Sequence, residues 1–548
     1  MNNPVSALPR GWAEAAIEDL LAPLEDGRTL HQGWSPQCES TPSESEDDWG
    51  VLKTTAIQAG SFLPEQNKRL PPNLAPRPLI EVKAGDILIT CAGPRARCGV
   101  ACLVRNTRRR LMLSGKMYRF RTPPEYMDAR YLEAYLQTAC AQDAIDRMKT
   151  GGSDSGLNLT HDRFRPLAVP VAPFNEQRRI IEAYEELASD LDAGVAAMER
   201  VRTKLGHYRS AVLKAAVEGT LTAEWRRQHP GTEPASELLK RILAERRRCW
   251  EEEQLRKFKE AGKEPPKGWK AKYKEPVAPD TANLPQLPEG WCWATVDQLT
   301  WSAGYGTSQK CSETNAGVAV ARIPNIIGGR LDLTGLKYAP PEYSRSDEDL
   351  VRVGDLLVVR TNGSRTLIGR GAVVRETPAL QLSFASYLIR LRLIPLPYLL
   401  NWISSLWESS HVRRWIEVRA ATSAGQFNIS LAVLNTLVIP IPPSAEQEAI
   451  AENVEDQVSV VDHLGSDLEA KLKSAQALRQ SILRHAFTGQ LVPQDPNDEP
   501  ASELLIRIAS EREACVREAT AKRVIKKSIA PRATRKPRAA MNALNRGD

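Results

Sequence analysis

The stretch Asn175–Leu221, NEQRRIIEAYEELASDLDAGVAAMERVRTKLGHYRSAVLKAAVEGTL, decides how the rest of the sequence is read, because its grammar occurs twice. It follows the Pro-rich segment Val169-Pro170-Val171-Ala172-Pro173 and opens with Glu176-Gln177. The same order returns as Ile439-Pro440-Ile441-Pro442-Pro443 and then Glu446-Gln447. Both copies continue through a long Pro-free segment. They end alike, at Glu218-Gly219-Thr220-Leu221 and Thr488-Gly489-Gln490-Leu491, and each is followed by an identical PASELL, Pro234–Leu239 and Pro500–Leu505.

A seven-residue apolar repeat predicts a long helix in each copy. Tyr184, Leu191, Met198, Leu205 and Val212 take one line of the first, with Leu187, Val201 and Tyr208 three residues after their neighbours. In the second the lines are Val454, Val461, Leu468, Ala475 and Ile482, then Leu464 and Leu478, with Gln457 and Lys471 as weaker members. At 1.5 Å per residue, roughly 40 residues make a rod of about 60 Å. A heptad seam needs a second helix to cover it, and the economical partner is the other copy. Two unrelated surface helices would not explain the matched ends.

The repeat extends beyond the helices. Leu8-Pro9-Arg10-Gly11-Trp12 matches Leu287-Pro288-Glu289-Gly290-Trp291, and Gly85-Asp86-Ile87-Leu88 matches Gly354-Asp355-Leu356-Leu357. Leu157-Asn158-Leu159 and Phe427-Asn428-Ile429 precede the two Pro-rich strands. Between these landmarks the copies barely resemble each other. A shared frame with divergent contents is the expectation.

That frame gives seven segments. Residues 1–172 and 285–442 are two mixed α/β domains. Residues 173–221 and 443–491 are the long helices, and 222–284 is a charged linker with a helix of its own over Leu238–Lys259. A C-terminal helix follows over 492–521, then a basic tail over 522–548 whose composition predicts disorder. Within the domains, strands are expected at Ile87–Thr90, Gly99–Val104, Lys116–Phe120, Leu356–Arg360, Gly371–Val374 and Tyr387–Leu393. Helices are expected at Ala13–Leu21, Met127–Met148 and Tyr398–Glu417, and an acidic loop at Ser40–Asp48.

Bulk properties set outer limits. A chain of 548 residues accommodates roughly two to four domains. The net charge of +7 permits a nucleic-acid partner without arguing for one. No apolar run approaches about 18 residues and the N-terminus lacks signal-peptide character, so a soluble cytoplasmic protein without a membrane partner is expected. The nine cysteines are scattered, and Cys98 and Cys102 lack a second pair or a histidine at zinc spacing, so reduced structural thiols are expected.

Catalytic signatures are missing from the sequence: there is no phosphate-binding Gly-x4-Gly-Lys loop, Gly-x-Gly-x-x-Gly fingerprint, Asn/Asp-Pro-Pro-Tyr/Phe methylation motif, His-x3-His pair or Gly-x-Ser-x-Gly elbow. Glu81-Val82-Lys83 imitates half of a metal-dependent nuclease site, but its duplicate is Leu350-Val351-Arg352, and a half-buried strand explains it better. What remains are polar, basic turns at equivalent places. The first domain offers Gly93, Arg95, Arg97 and Gly99, then Arg147, Lys149, Ser153 and Ser155. The second offers Arg360, Thr361, Asn362, Ser364, Arg365 and Arg370, then Arg413, Arg414, Arg419, Thr422, Ser423 and Gln426. Arginine reads guanine bidentately, Asn and Gln read adenine, and Ser and Thr serve phosphate or base, which suits loops that enter a DNA groove. Singly, each is an ordinary surface residue; the repetition at one place in both domains is the signal. The candidate DNA contacts are Arg95, Arg97, Lys149, Ser153, Arg360, Asn362, Ser364, Arg365, Arg419, Ser423 and Gln426.

Taken in order, the Leu-Pro-x-Gly-Trp start, the Gly-Asp-Ile/Leu-Leu strand, the Ser423–Ile429 segment (SAGQFNI), the Pro-rich strand with Glu-Gln, and the Thr-Gly-Gln-Leu ending resemble the specificity subunit of type I restriction–modification systems. The resemblance covers about residues 8–225 and 287–508. It departs at Gly151–Leu157, where the pattern prefers Gly-Gln-x-Asn, at Glu218–Leu221, and in the long charged linker. The resemblance implies an α+β fold: two target recognition domains joined by two long antiparallel coiled-coil helices, with a pseudo-twofold axis. It implies a non-catalytic chain that reads a bipartite asymmetric target in double-stranded DNA. It also implies two methyltransferase subunits and two restriction subunits as partners, which supply S-adenosylmethionine, ATP and magnesium. The rivals are a stand-alone DNA-binding or coiled-coil adaptor without a methyltransferase, and a nuclease built on Glu81 and Lys83.

Overall fold

The structure is a computed structural model that describes residues 8–314, 317–341, 343, 349–423 and 425–529. The chain divides into two compact units through the middle of both long helices. One unit joins Met1–Ala197 to Lys471–Asp548, and the other is Met198–Ala470.

In the first unit the strand Ala13–Ala16 pairs antiparallel with Ala168–Val171, the Pro-rich strand of the landmark. A four-stranded sheet runs in the order His31–Gln32, Met117–Phe120, Ile87–Thr90, Ala101–Leu103. Its central strand, Ile-Leu-Ile-Thr, is buried on both faces, which is why it reads as a continuous apolar run and not an alternating one. A second sheet has Gly50–Leu52 between parallel Leu111–Met112 and antiparallel Asn67–Arg69. The helices Ala129–Leu136 and Ala139–Met148 complete the domain.

The second unit repeats this plan. Cys292–Thr295 pairs with Val438–Ile441, and the four-stranded order is Thr300–Tyr305, Leu388–Leu393, Asp355–Val359, Gly371–Val373. Ala319–Ala321 lies between parallel Leu382–Phe384 and antiparallel Lys337–Tyr338. The helices are Pro397–Trp407 and Ser410–Arg419.

Four local expectations change. Ala13–Leu21 is a strand followed by a 3-10 turn at Ile17–Leu20, because pairing to the Pro-rich strand overrides its helical composition. Met127–Met148 and Tyr398–Glu417 each split into two helices. Thr138 and Ser409 take extended backbone and accept from the amides of Ala141 and Val412, starting a second helix in each case. The last helix runs Ala501–Ile529, so residues 522–529 of the expected tail are helical; the remainder, 530–548, lies outside the described residues.

The landmarks hold the frame together. Glu176 and Glu446 are buried and accept from the indole N–H of Trp12 (3.1 Å) and Trp291 (2.9 Å), so the start of each domain is tied to the start of each long helix. Gln177 and Gln447 donate to the carbonyls of Ala172 and Pro442, at 2.8 and 2.7 Å. In the Gly-Asp landmark, Asp86 accepts from the Lys83 amide and from Arg121 (2.6 Å), and Asp355 accepts from the Arg352 amide and from Arg392 (2.7 Å). Gly219 and Gly489 end the long helices with φ of 69° each, and a Cβ there would lie 2.6 Å from Pro288 or Pro9, so only glycine fits the left-handed turn. The PASELL helices begin by donating from Ala235 to the Gly290 carbonyl and from Ala501 to the Gly11 carbonyl, both at 2.8 Å. Segments after the first long helix therefore finish the second domain, and those after the second long helix finish the first.

The long helices span Phe174–Val217 and Ser444–Ala486. In the first unit, Ile181, Tyr184 and Ala188 share a core with Leu483 and Ala486, and Arg479 pairs with Asp192. In the second unit, Val212 and Leu213 share a core with Ile450, Val454 and Val458, Tyr208 donates to Gln457 at 3.0 Å, and Arg209 pairs with Asp462. Rising numbers on one helix meet falling numbers on the other, so the pairing is antiparallel within each unit. Of the expected seam, Tyr184, Val454, Val461 and Leu468 are buried, and Leu191, Met198, Leu205 and Ile482 are half-buried. Leu187 and Leu464 are 44% and 47% exposed, as are Val201, Tyr208 and Leu478 to similar degrees. Each helix turns one apolar line inward and leaves the line three residues on, roughly 60° around the cylinder, facing out.

Candidate nucleic-acid interface

In the second unit the strand Asp355–Val359 leads into Arg360 and a turn that closes at Gly369. Gly369 has φ of 73°, and the space a Cβ would need is filled by Ile416 of the helix behind it. The turn carries Thr361–Asn362, which joins a small three-stranded sheet with Gln426–Asn428 and Ala421–Ser423. Asn362 pairs with Phe427 and Ser423 with Gln426, so residues far apart in sequence share one sheet. The Ser423 side chain lies outside the described part of the chain.

Three arginines around this sheet lie against aromatic rings. Arg360 lies 4.5 Å from the ring centre of Tyr305, Arg419 lies 4.3 Å from Trp415, and Arg365 lies 5.9 Å from Phe427. A stacked guanidinium is held by its face and keeps its N–H edge for a ligand. Arg365 also donates to the Glu417 carbonyl at 2.8 Å. Asn362 accepts from the Ser364 amide (2.8 Å), Ser364 and Thr366 hydroxyls are 2.9 Å apart, and exposed Gln426 accepts from Thr361 at 3.3 Å. Arg413 is structural: it donates to the Ile368 and Thr366 carbonyls, and burial lowers its pKa.

The first unit builds the same place from different chemistry. Gly99 has φ of 89° and meets Ile145, as Gly369 meets Ile416. Leu159 donates to the Cys91 carbonyl (2.8 Å) as Ile429 does to that of Arg360 (2.9 Å), so Cys91 stands where Arg360 stands. The position of Tyr305 is taken by Gln32, whose amide donates to Gly115 at 2.8 Å. Burial pushes the Cys91 thiol up to about 12, so it stays protonated.

Three expected contacts of this unit are committed internally. Arg95 is clamped by Asp146 (2.5 Å) and Asp154 (3.0 Å), and the hydrogen bond to Asp154 holds its pKa above the ordinary value. Lys149 is nearly buried, pairs with Asp146 at 2.8 Å, and donates to the Arg95 carbonyl. Arg97 turns inward to the carbonyls of Thr54 and Ile57 and to Gln58. The reason is local: Asp146 sits one helical turn before Lys149, and the Gly/Ser turn delivers Asp154. Ser153, 2.9 Å from the Ser155 hydroxyl, and Arg147 are exposed.

The aromatic platforms escaped the sequence reading. Trp415 and Arg419 are four apart on a helix and Phe427 adjoins Gln426, a signal present in the sequence. Tyr305 reaches Arg360 only through sheet pairing. Glu81 accepts from the Arg110 amide (2.6 Å) and Lys83 pairs with Glu25 (3.1 Å), so both have structural work. Among the described residues no group of three or more His, Cys, Asp or Glu is placed to hold a metal ion, and no helix is long and apolar enough to cross a membrane.

No family model matches the chain. It is 23% identical over 520 residues to the EcoKI specificity subunit of a type I restriction enzyme from Escherichia coli strain K12, covering 92% of this chain and 97% of that protein. A match to the EcoEI specificity subunit of Escherichia coli is 35% identical over 210 residues, 38% of this chain and about a third (34%) of that relative. A structure solved in work on complex assembly and conformational transition of the type I R-M system aligns at a TM-score of 0.51 and 15% identity, covering 88% of this chain and 100% of that one; it shares the fold.

Proposed function

We propose, given that this chain belongs to the specificity subunits of type I restriction–modification systems, that it reads a bipartite, asymmetric target in double-stranded DNA and carries no active site of its own. One observation carries the asymmetric reading: the frame's landmark hydrogen bonds recur in both units while the reader positions differ, Cys91 and Gln32 against Arg360 and Tyr305. Each domain then contacts its own half-site, and Arg360, Asn362, Ser364, Arg365, Arg419, Ser423 and Gln426 are the contacts we assign to the second. In the first, Ser153 and Arg147 remain available.

The partners are DNA, methyltransferase subunits and restriction subunits, and we propose two copies of each kind of subunit, working in the cytoplasm. The outward apolar line supports a docking face for the methyltransferase: Leu187 and Leu478 in the first unit, and Val201, Tyr208, Val460 and Leu464 in the second. S-Adenosylmethionine, ATP and magnesium belong in this reading to those partners. The long helices act as the spacer between half-sites. One added helical turn, about 5.4 Å, should lengthen the unread spacer by one or two base pairs. A four-residue insertion near Gly194 tests this, and an unchanged spacing in the methylated motif rejects it.

The decisive experiment is long-read sequencing of host DNA with and without the gene. Loss of one bipartite methylated motif on deletion is expected; a motif that persists overturns the reading. Co-purification of a methyltransferase subunit separates it from the stand-alone adaptor.

A further inference from the structure

Between the two domains' frame elements, Ala235–Glu260 forms a helix whose root is fixed in the second unit. Leu238 and Ile242 are in the core, and Arg246 donates to the carbonyls of Asp297 (3.1 Å) and Thr300 (2.9 Å). Beyond the root the helix is buttressed by the returning chain: Trp250 stacks on Trp269 at 5.8 Å and meets Tyr273 at 5.3 Å, and Phe258 meets Trp269 at 6.1 Å. Lys270 pairs with Glu251 at 2.8 Å. This is a pinned arm.

Charge is sorted along it. Arginines of the shaft are each neutralised: Arg241 by Glu233, Arg247 by Glu251, Arg248 by Glu245 and Glu252, and Arg256 by Glu253 and Glu260. At the tip, Lys259, Lys263 and Lys267 are exposed, and none has a carboxylate partner among the described residues; Lys272 and Lys274 are exposed as well but lie back beside the root, where Arg246 donates to the Lys274 carbonyl at 3.2 Å. Over 259–274 six lysines face two glutamates, Glu260 and Glu264, the first already held by Arg256.

We infer that this arm is a second DNA contact: its lysine tip binds the phosphate backbone of duplex flanking the half-site read by the second unit. The inference rests on the reading proposed above. Two features favour phosphate over a protein surface. Lysine is depleted in protein interface cores but serves phosphates as a point charge, and the arm's aromatic side chains are half-buried and spent on one another. The reach also fits. The strand Thr300–Tyr305 starts at the arm's root and ends about 17 Å away, where Tyr305 lies against Arg360. From Arg246 to Glu260 the helix extends about 21 Å further. The tip thus lies within roughly 40 Å of the reader, close to one turn of duplex, about 34 Å.

The test uses the full chain purified with its methyltransferase partner and a K259Q/K263Q/K267Q variant. Affinity is measured against salt on a long duplex carrying the host's methylated motif, and on one trimmed at the half-site. On the long duplex the variant should lose at least tenfold in affinity, and its log–log salt slope should be shallower by about 3, at roughly 0.9 per phosphate contact. On the trimmed duplex it should match the parent, the methylated motif should be unchanged, and arginines at the same three positions should restore the slope. Equal slopes on the long duplex overturn the inference, as does loss of a protein subunit with the DNA slope unchanged. A parent complex with no preference for the motif marks failure of the underlying reading instead.

Discussion

Glu446 is a buried carboxylate facing the donors of Trp291, Thr222 and Arg226, at 2.9, 2.7 and 2.8 Å. Removing it leaves a buried indole N–H without an acceptor and breaks the ion pair with Arg226, which keeps its bond to the Gly219 carbonyl, so Glu446→Ala should cost about 2–4 kcal/mol. Its counterpart Glu176 accepts from the neutral Trp12, and Glu176→Ala should cost about 1–3 kcal/mol. Hydrogen exchange at residues 222–226 and 291–294, against that at residue 12 and its neighbours, reads the two separately. Burial raises the Glu176 pKa, so its favourable contribution is complete below the unfolded value, about 4.3, and is lost as pH rises through the folded value. Glu176→Gln should therefore gain on the parent as pH rises above about 4.3; a difference that shrinks with rising pH contradicts the assignment. The same scale explains what was legible. Arg95 and Arg365 look alike in sequence, but one sits between Asp146 and Asp154 and the other beside Phe427. Arg365→Ala should relax the methylated motif at one base, a loss of about 1–3 kcal/mol in discrimination, while Arg95→Ala should leave the motif intact.

At the scale of elements, landmarks and long helices were readable because each depends on local pattern: a heptad, a glycine that ends a helix, an Asp that closes a turn. The partition of the heptad was not. Sequence marks Leu187 and Leu464 as seam residues equally with Tyr184 and Val461, and only the packed bodies decide which line is covered. That gives the exposed line a test of its own. Leu464→Gln should change the protein's stability by less than about 1 kcal/mol, since the side chain is 47% exposed and belongs to no buried core. It should nonetheless weaken capture of the methyltransferase subunit in a pull-down; undiminished capture, with Leu187→Gln and Leu478→Gln added, would falsify the docking face.

At the scale of the molecule, the last helix belongs to the first domain. Ala501, Leu504 and Ile508 are buried there, Arg179 pairs with Asp498 at 2.6 Å, and Tyr126 donates to Glu511 at 2.7 Å. Ending the chain after Glu499 should therefore destabilise the first unit by on the order of 4 kcal/mol and spare the second, whose equivalent helix is retained. Exchange of deuterium in the two units, followed side by side, distinguishes this from a general loss of stability. Replacing residues 360–369 and 419–428 should change one half of the methylated motif only.

The way the two ends of the chain complete one unit has a consequence for synthesis on the ribosome. Residues up to Ala197 emerge first but lack Leu483, Ala486, Gly489 and Ala501, which arrive only after the whole of Met198–Ala470 has been made. At roughly 5–20 residues per second, that is a wait of about 15–55 s. Throughout it the first unit has an open apolar flank, whereas the second, one continuous stretch, has every residue it needs as soon as Ala470 has been made. The part of the protein translated first is the last to finish folding, and it is the part a holding chaperone would be expected to find.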